Sequence, residues 1–278
     1  MISINGKLYS SYNNVPSHII KSFIQYTVFD YHLRVENGKI LFWEKNYFMM
    51  MAQLRRLRIN IPMSFTLNFF VDQINVLIDK HESNCYLIYL KFANDSAPMI
   101  DNIEVDLITS IIAESTNSLI KNISLTKEIS LFKDHTLRDQ ELTSILYLQK
   151  DINRIAAIEA FENNCDDNLI LNDKKNIIRS VLGNVFILKD DLIISPSKKN
   201  GAQSSVLADL FIEHINDSND FNFSNDSSFG VFELQIADEL AVLSIKNGLN
   251  LVCKYRKKNY HTKRLPELYN SFIKLHVS

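Results

Sequence analysis

Hydrophobic and polar positions over the first 115 residues predict short strands mixed with helices. The dipeptide Asn5-Gly6 favours a tight turn and divides residues 1–9 into two short strands. A second hairpin is predicted where Leu33-Arg34-Val35 and Ile40-Leu41-Phe42-Trp43 enclose the turn Asn37-Gly38. A helix over residues 46–58 follows. Ser64 then caps a helix in which Leu67, Phe70, Val71, Ile74 and Leu77 keep helical spacing. Residues 86–92 and 103–112 read as buried strands joined through the turn Asn94-Asp95-Ser96. Beyond Glu114-Ser115-Thr116-Asn117, residues 123–131 are strand-like and 151–163 helical, with Ile152, Ile155, Ala156 and Phe161 on one side. Short strands at 169–172, 177–179, 184–188 and 192–195 precede a helix over 204–214, a mobile polar loop over 216–228, strands at 240–244 and 251–255, and a closing helix from Pro266. The class is α+β, in two domains: a smaller one over 1–115 and a larger one over 122–278.

Composition narrows the function classes. The 278 residues are 46% hydrophobic and 22% charged, with a net charge of −2, so the basic surplus typical of nucleic-acid binders is missing. No apolar run approaches the roughly 18 residues of a membrane span. The opening MISINGKLYSSYNN lacks a basic segment followed by an apolar one, so a secretory leader is not expected. Cys85, Cys165 and Cys253 lie far apart without metal-ligand spacing, which predicts reduced thiols, a cytoplasmic location and no metal site. Six Gly and five Pro amount to about a third of ordinary usage, so each surviving glycine is expected where the backbone requires one.

Motif reading alone finds no active site. The basic run Lys254-Tyr255-Arg256-Lys257-Lys258 is a solvated strand end, and Met49-Met50-Met51 on a helix is core packing. The seven histidines are dispersed, and the acidic pairs Asp166-Asp167 and Asp238-Glu239 point to opposite faces of their strands.

Several strings nevertheless resemble, in the right order and over nearly the whole chain, the class IV (fold-type IV) pyridoxal-phosphate (PLP) enzymes. These include branched-chain and D-amino-acid aminotransferases and aminodeoxychorismate lyase. Leu33-Arg34-Val35-Glu36-Asn37-Gly38-Lys39 is similar to the strand and turn after the family's first loop. Residues 44–62 resemble its E-x-H-x-x-R-L helix closing on G-I-P, and residues 162–172 its E-x-G-x-D-E-x-L-L-L-N segment. Gly183-Asn184-Val185-Phe186 with Ser195-Pro196 resembles N-x-F followed by T-P-P, and Ala237-Asp238-Glu239-Leu240 with Gly248 the A-D-E strand. The resemblance implies the two-domain D-amino-acid aminotransferase-like fold, a site between the domains and a homodimer.

The same resemblance exposes departures. The family's Schiff-base lysine lies about sixteen residues before the E-x-G-x-D segment, and a gapless count puts Leu146 there, which cannot form an imine. The glutamate that holds the pyridine nitrogen protonated falls on Arg179, a cation that would oppose protonation. The phosphate-contacting helix arginine falls on Met49, and the preceding histidine on Asn46. The G-I-x-R phosphate cradle falls on Ser205-Val206-Leu207-Ala208, and the Y-G-D/E loop reads Gln25-Tyr26-Thr27. Met49, Arg179, Asn184, Ser205 and Val206 are thus vestigial cofactor positions. The expectation is a pseudoenzyme without cofactor, binding an unknown small ligand or a partner, and neither nucleic acid nor membrane. The alternative is an active PLP-dependent aminotransferase or 4-amino-4-deoxychorismate lyase with its lysine displaced to Lys150, four residues on and roughly 13 Å away on an extended segment.

Overall fold

Asn5 and Gly6 turn the chain with φ of 45° and 85°, joining β1 (Ile2–Ile4) to β2 (Lys7–Tyr9) in an antiparallel pair. The computed structural model describes residues 1–79, 83–95, 106–116, 120–225 and 229–277. By contacts the chain divides into Met1–Leu119 and Ile120–Ser278.

The first unit continues with α1 (Ser17–Gln25), β3 (Thr27–Glu36), β4 (Lys39–Ile40), α2 (Trp43–Arg56), α3 (Leu67–Ile78), β5 (Cys85–Asn94) and β6 (Leu107–Ser115). Its six strands form one antiparallel sheet, ordered β2-β1-β6-β5-β3-β4. Phe70 of α3 meets Phe92 of β5 at 6.2 Å between ring centroids and Trp43 of α2 at 6.2 Å, the centre of an aromatic core. That core explains why the second hairpin is shorter than its apolar run. The strand stops at Ile40, Phe42 takes φ 53°, and Trp43 opens α2 three residues before the predicted start. The cap of α3 is Thr66, not Ser64: its Oγ1 accepts from Phe69 N–H at 3.2 Å. Helix α1 was not anticipated, although Ile19, Ile20 and Phe23 line the side that packs on Ile2, Ile4 and Val15. Ser96 and residues 103–105 of the predicted turn and strand lie outside the described residues.

The second unit holds two sheets. One contains β8 (Ile129–Leu131), β9 (Asp167–Leu171) and β10 (Ile177–Ser180), with β16 (Lys254–Tyr255) and β17 (Lys258–Asn259), in the order β10-β9-β8-β16-β17. The other contains β7 (Ile123–Thr126), β11 (Asn184–Lys189), β12 (Leu192–Ile194), β13 (Asn222–Ser224), β14 (Glu239–Ser244) and β15 (Gly248–Val252), ordered β13-β12-β11-β14-β15-β7. A shared core draws Leu169, Leu171 and Ile177 from the first sheet and Val185, Ile187, Val242 and Val252 from the second. Alternation sends Phe186 to the other face, where it meets Phe211 of α5 (Val206–Asp217) edge to face, itself packed on Tyr269 and Phe272 of α7 (Arg264–His276). On the first sheet, Ile170 and Ile178 pack against Ala156 of α4 (Lys150–Glu162).

Several expectations change here. The strand predicted over 123–131 is broken into β7 and β8, which join different sheets, because the Asp166 carboxylate accepts the N–H groups of Lys127 (2.6 Å) and Glu128 (3.3 Å). The run 251–255 divides in the same way between β15 and β16. Phe161, 82% exposed, does not share the side of Ile152, Ile155 and Ala156 that packs inward, because at about 100° per residue it stands opposite Ile152 on α4. Residues 222–224 of the polar loop form β13, parallel to β12, and α6 (Val231–Ile236) is an additional helix. No helix among the described residues is long and apolar enough to cross a membrane.

Candidate functional site

Hydrogen bonds within the second unit gather three of the singled-out segments. Leu146, half-buried, begins a 3-10 turn, Leu146–Gln149, directly after the turn Glu141–Ser144. Ser204 N–H donates to Ser144 O at 3.0 Å and its hydroxyl to Ser144 Oγ at 3.0 Å. The segment of Leu146 therefore lies against the segment that leads into α5. Ser205 caps that helix, its Oγ accepting from Ala208 N–H at 3.4 Å, and Val206 is the first buried residue within it. Asn184 joins from β11, donating from Nδ2 to Gln203 O at 2.7 Å. A cavity of about 380 Å³ opens beside this junction, lined by Asn184, Ser195, Pro196, Gln203, Ala208 and Asp209. Lys198 pairs with Asp209 at 2.5 Å on its wall.

Arg179 stands at a β-bulge: the β9–β10 register shifts between Ile177 and Arg179, which pairs with Ile170. Bulges re-aim a side chain. This one leaves the guanidinium 1% exposed, with no hydrogen-bond partner on Nε, Nη1 or Nη2, although a carboxylate or solvent would be the natural partner for a displaced arginine. Burial lowers its pKa to about 10 against the attraction of Asp167. Asp167 in turn is pushed up to about 6 by burial, although its Oδ1 accepts the N–H groups of Asn168 (2.7 Å) and Val181 (3.2 Å). Its Oδ2 has no partner. Sequence reading missed Asp167 as a neighbour of Arg179, because only the strand pairing brings them together.

The remaining positions keep structural partners. Asn46 is buried on α2, where Nδ2 donates to Leu41 O and Phe42 O and Oδ1 accepts from Tyr31 Oη at 2.9 Å. Met49 is half-buried on the same helix, in the first unit, between the exposed Phe48 and the buried Met50. Lys150 is exposed at the start of α4, its ammonium 4.5 Å from the Tyr147 ring centroid. Among the described residues no cluster of His, Cys, Asp or Glu could hold a metal.

The strings that resembled a family now have physical roles. Gly183 cannot carry a side chain, since a Cβ there would stand 2.3 Å from Leu243 O of the paired strand. Glu239 is buried and accepts the N–H groups of Lys263 (2.9 Å), Arg264 (2.8 Å) and Leu265 (2.8 Å), closing the N-terminus of α7. The sequence profile of the amino-transferase class IV family matches residues 27–245. The chain belongs to the class IV aminotransferases. No curated protein matches it by sequence. Among solved structures this family member is similar to branched-chain aminotransferases from Thermoproteus uzoniensis (10% identity, 99% of this chain and 94% of that chain, TM-score 0.81) and Escherichia coli (13%, 99% and 93%, 0.82). A protein assigned as a 4-amino-4-deoxychorismate lyase from Legionella pneumophila aligns equally broadly (15% identity, 98% and 96%, TM-score 0.77). At these identities the likeness speaks for the fold: the α+β, fold-type IV architecture.

Proposed function

We propose that this class IV aminotransferase-like chain has lost PLP-dependent catalysis and keeps the fold as a ligand-binding homodimer in the cytoplasm. The observation that carries this reading is Arg179, a sealed guanidinium without a partner at the position where the family resemblance requires an acid. A cation opposes protonation of the pyridine nitrogen and so weakens the electron sink for which PLP is used. At the Schiff-base position Leu146 offers only a hydrocarbon side chain. Ser205 and Val206 begin α5 without the glycine that allows close backbone approach to a phosphate. On these grounds the residues present do not fit PLP. Lys150, the candidate for a displaced lysine, is exposed at the start of α4, with its ammonium over the Tyr147 ring. The test is the absorption spectrum of the purified protein with added PLP. A colourless protein is expected, with no transaminase or lyase activity and no label after borohydride. Borohydride-trapped PLP on any lysine would overturn the reading.

A further inference from the structure

We infer that the cavity beside the first turns of α5 binds a small ligand whose nitrogen carries at least two hydrogens, an aliphatic amine or carboxamide, held by the side-chain oxygens of Asn184 and Gln203. This rests on the reading above that the fold serves to bind a ligand, and it names the chemistry of that ligand. Asn184 is 7% exposed, yet its Oδ1 has no hydrogen-bond partner, and neither has the buried Oε1 of Gln203. Both residues line the same cavity. Buried carbonyl oxygens without a donor are costly and rare, and two beside one opening point to what enters it. The orientation of Asn184 is fixed. Its Nδ2 donates to Gln203 O at 2.7 Å, and a backbone carbonyl can only accept, so the amide oxygen must face elsewhere. The same bond holds the two side chains at neighbouring points of the wall. Two donors of that wall are engaged with other groups: Ser195 Oγ donates to Val185 O at 2.8 Å, and the Lys198 ammonium is turned to Asp209 at 2.5 Å.

The space suits a small molecule. About 380 Å³ lies within the roughly 300–1,000 Å³ of ligand pockets and far exceeds what one bridging water needs. Pro196, Ala208 and Ile212 add an apolar wall for a short hydrocarbon chain. Lys198 and Lys199 balance Glu141 and Asp209 around it, so net charge does not choose between a cation and a neutral amide. The two oxygens require two N–H donors, which an ammonium and a carboxamide both offer and a hydroxyl, with one hydrogen, does not.

The experiment is saturation-transfer NMR on the full chain at neutral pH and fixed ionic strength, without PLP. One arm is titrated with n-butylammonium chloride, another with butyramide, and n-butanol, with the same chain and a single donor, is the control. Saturable transfer is expected to at least one of the nitrogen compounds, and the arm that responds tells ammonium from amide. Butanol should bind about fivefold more weakly or not at all. Gln203→Met removes one oxygen at nearly equal length and should weaken the responding ligand about fivefold. Gln203→Glu sets a carboxylate in its place and should shift the preference towards the ammonium about tenfold. The proposal is overturned if neither nitrogen compound gives saturable transfer, if butanol matches them, if Gln203→Met binds as the wild type does, or if Gln203→Glu leaves the preference unchanged. Should the Met variant fail to fold, the butanol control and the Glu variant decide. PLP colour in the unmodified protein would remove the loss of catalysis and leave this result standing. A colourless protein without transfer would remove only this site.

Discussion

Asp167 shows how a single residue links burial to pH. Burial raises its pKa to about 6, so the folded state holds the proton more tightly than the unfolded chain, where a carboxylate titrates near its usual value. The sign follows: stability contributed by this group is full at low pH and is lost as pH rises from about 4 to 6, by up to about 3 kcal/mol. Asp167→Asn should remove that decline, which urea unfolding at several pH values would show as a flatter profile across the same interval. An unchanged profile would mean that the carboxylate is solvated. Leu146 gives the complementary case. On the proposed reading, Leu146→Lys supplies an amine while Arg179 and the Ser205-Val206 start of α5 stay as they are, so no visible absorption is expected on adding PLP. Departures from the family strings were legible in the sequence, because comparing residue types needs no structure. The isolation of Arg179 was not, since it depends on what stands opposite a bulged strand.

Elements show why the family strings persisted. Glu239 holds three N–H groups at the start of α7, and charge-assisted bonds of this type contribute about 1.5–3 kcal/mol each before the cost of orphaned donors. Glu239→Ala should therefore destabilise the chain by about 3–5 kcal/mol, a loss that denaturant titration would read directly, and Glu239→Gln by less. Gly183→Ala sets a methyl against the Leu243 carbonyl at the head of the β11–β14 pair and should cost about 3 kcal/mol or more. A native-like midpoint would show that the strand can shift. On α3 the milder Thr66→Ala should cost about 1 kcal/mol, as the loss of an N-cap does. Helix positions were readable from periodicity, yet their ends moved by two or three residues. The cap that wins is the one whose neighbours pack: Trp43 reaches Phe70 and draws the start of α2 backwards.

At the scale of the molecule, the resemblance implies a homodimer, and light scattering should give twice the 32.2 kDa chain mass; a monomer mass at micromolar concentration would contradict it. The amino-acid sequence by itself determined the α+β class, the order of most elements and the family, because apolar period, turn dipeptides and short strings such as Ala237-Asp238-Glu239 are local properties. It also determined which residue types stand along the strings that resemble the family, since Leu146 is a leucine in any fold. Tertiary structure alone decided how the apolar runs were shared out. Residues 123–131 read as one strand, and only the carboxylate of Asp166, 39 residues beyond Lys127, captures the backbone N–H groups at the break and sends β7 and β8 to different sheets. Phe161 was grouped with Ile152, Ile155 and Ala156, but at about 100° per residue it stands on the opposite side of α4 from Ile152 and faces outward. Arg179 was read as a lost acid, and the pairing of β9 with β10 made it a buried cation without a partner. The physical reason is common to the divided strand and to Arg179. Local pattern sets what a segment prefers, while long-range contacts set which preference the protein can satisfy.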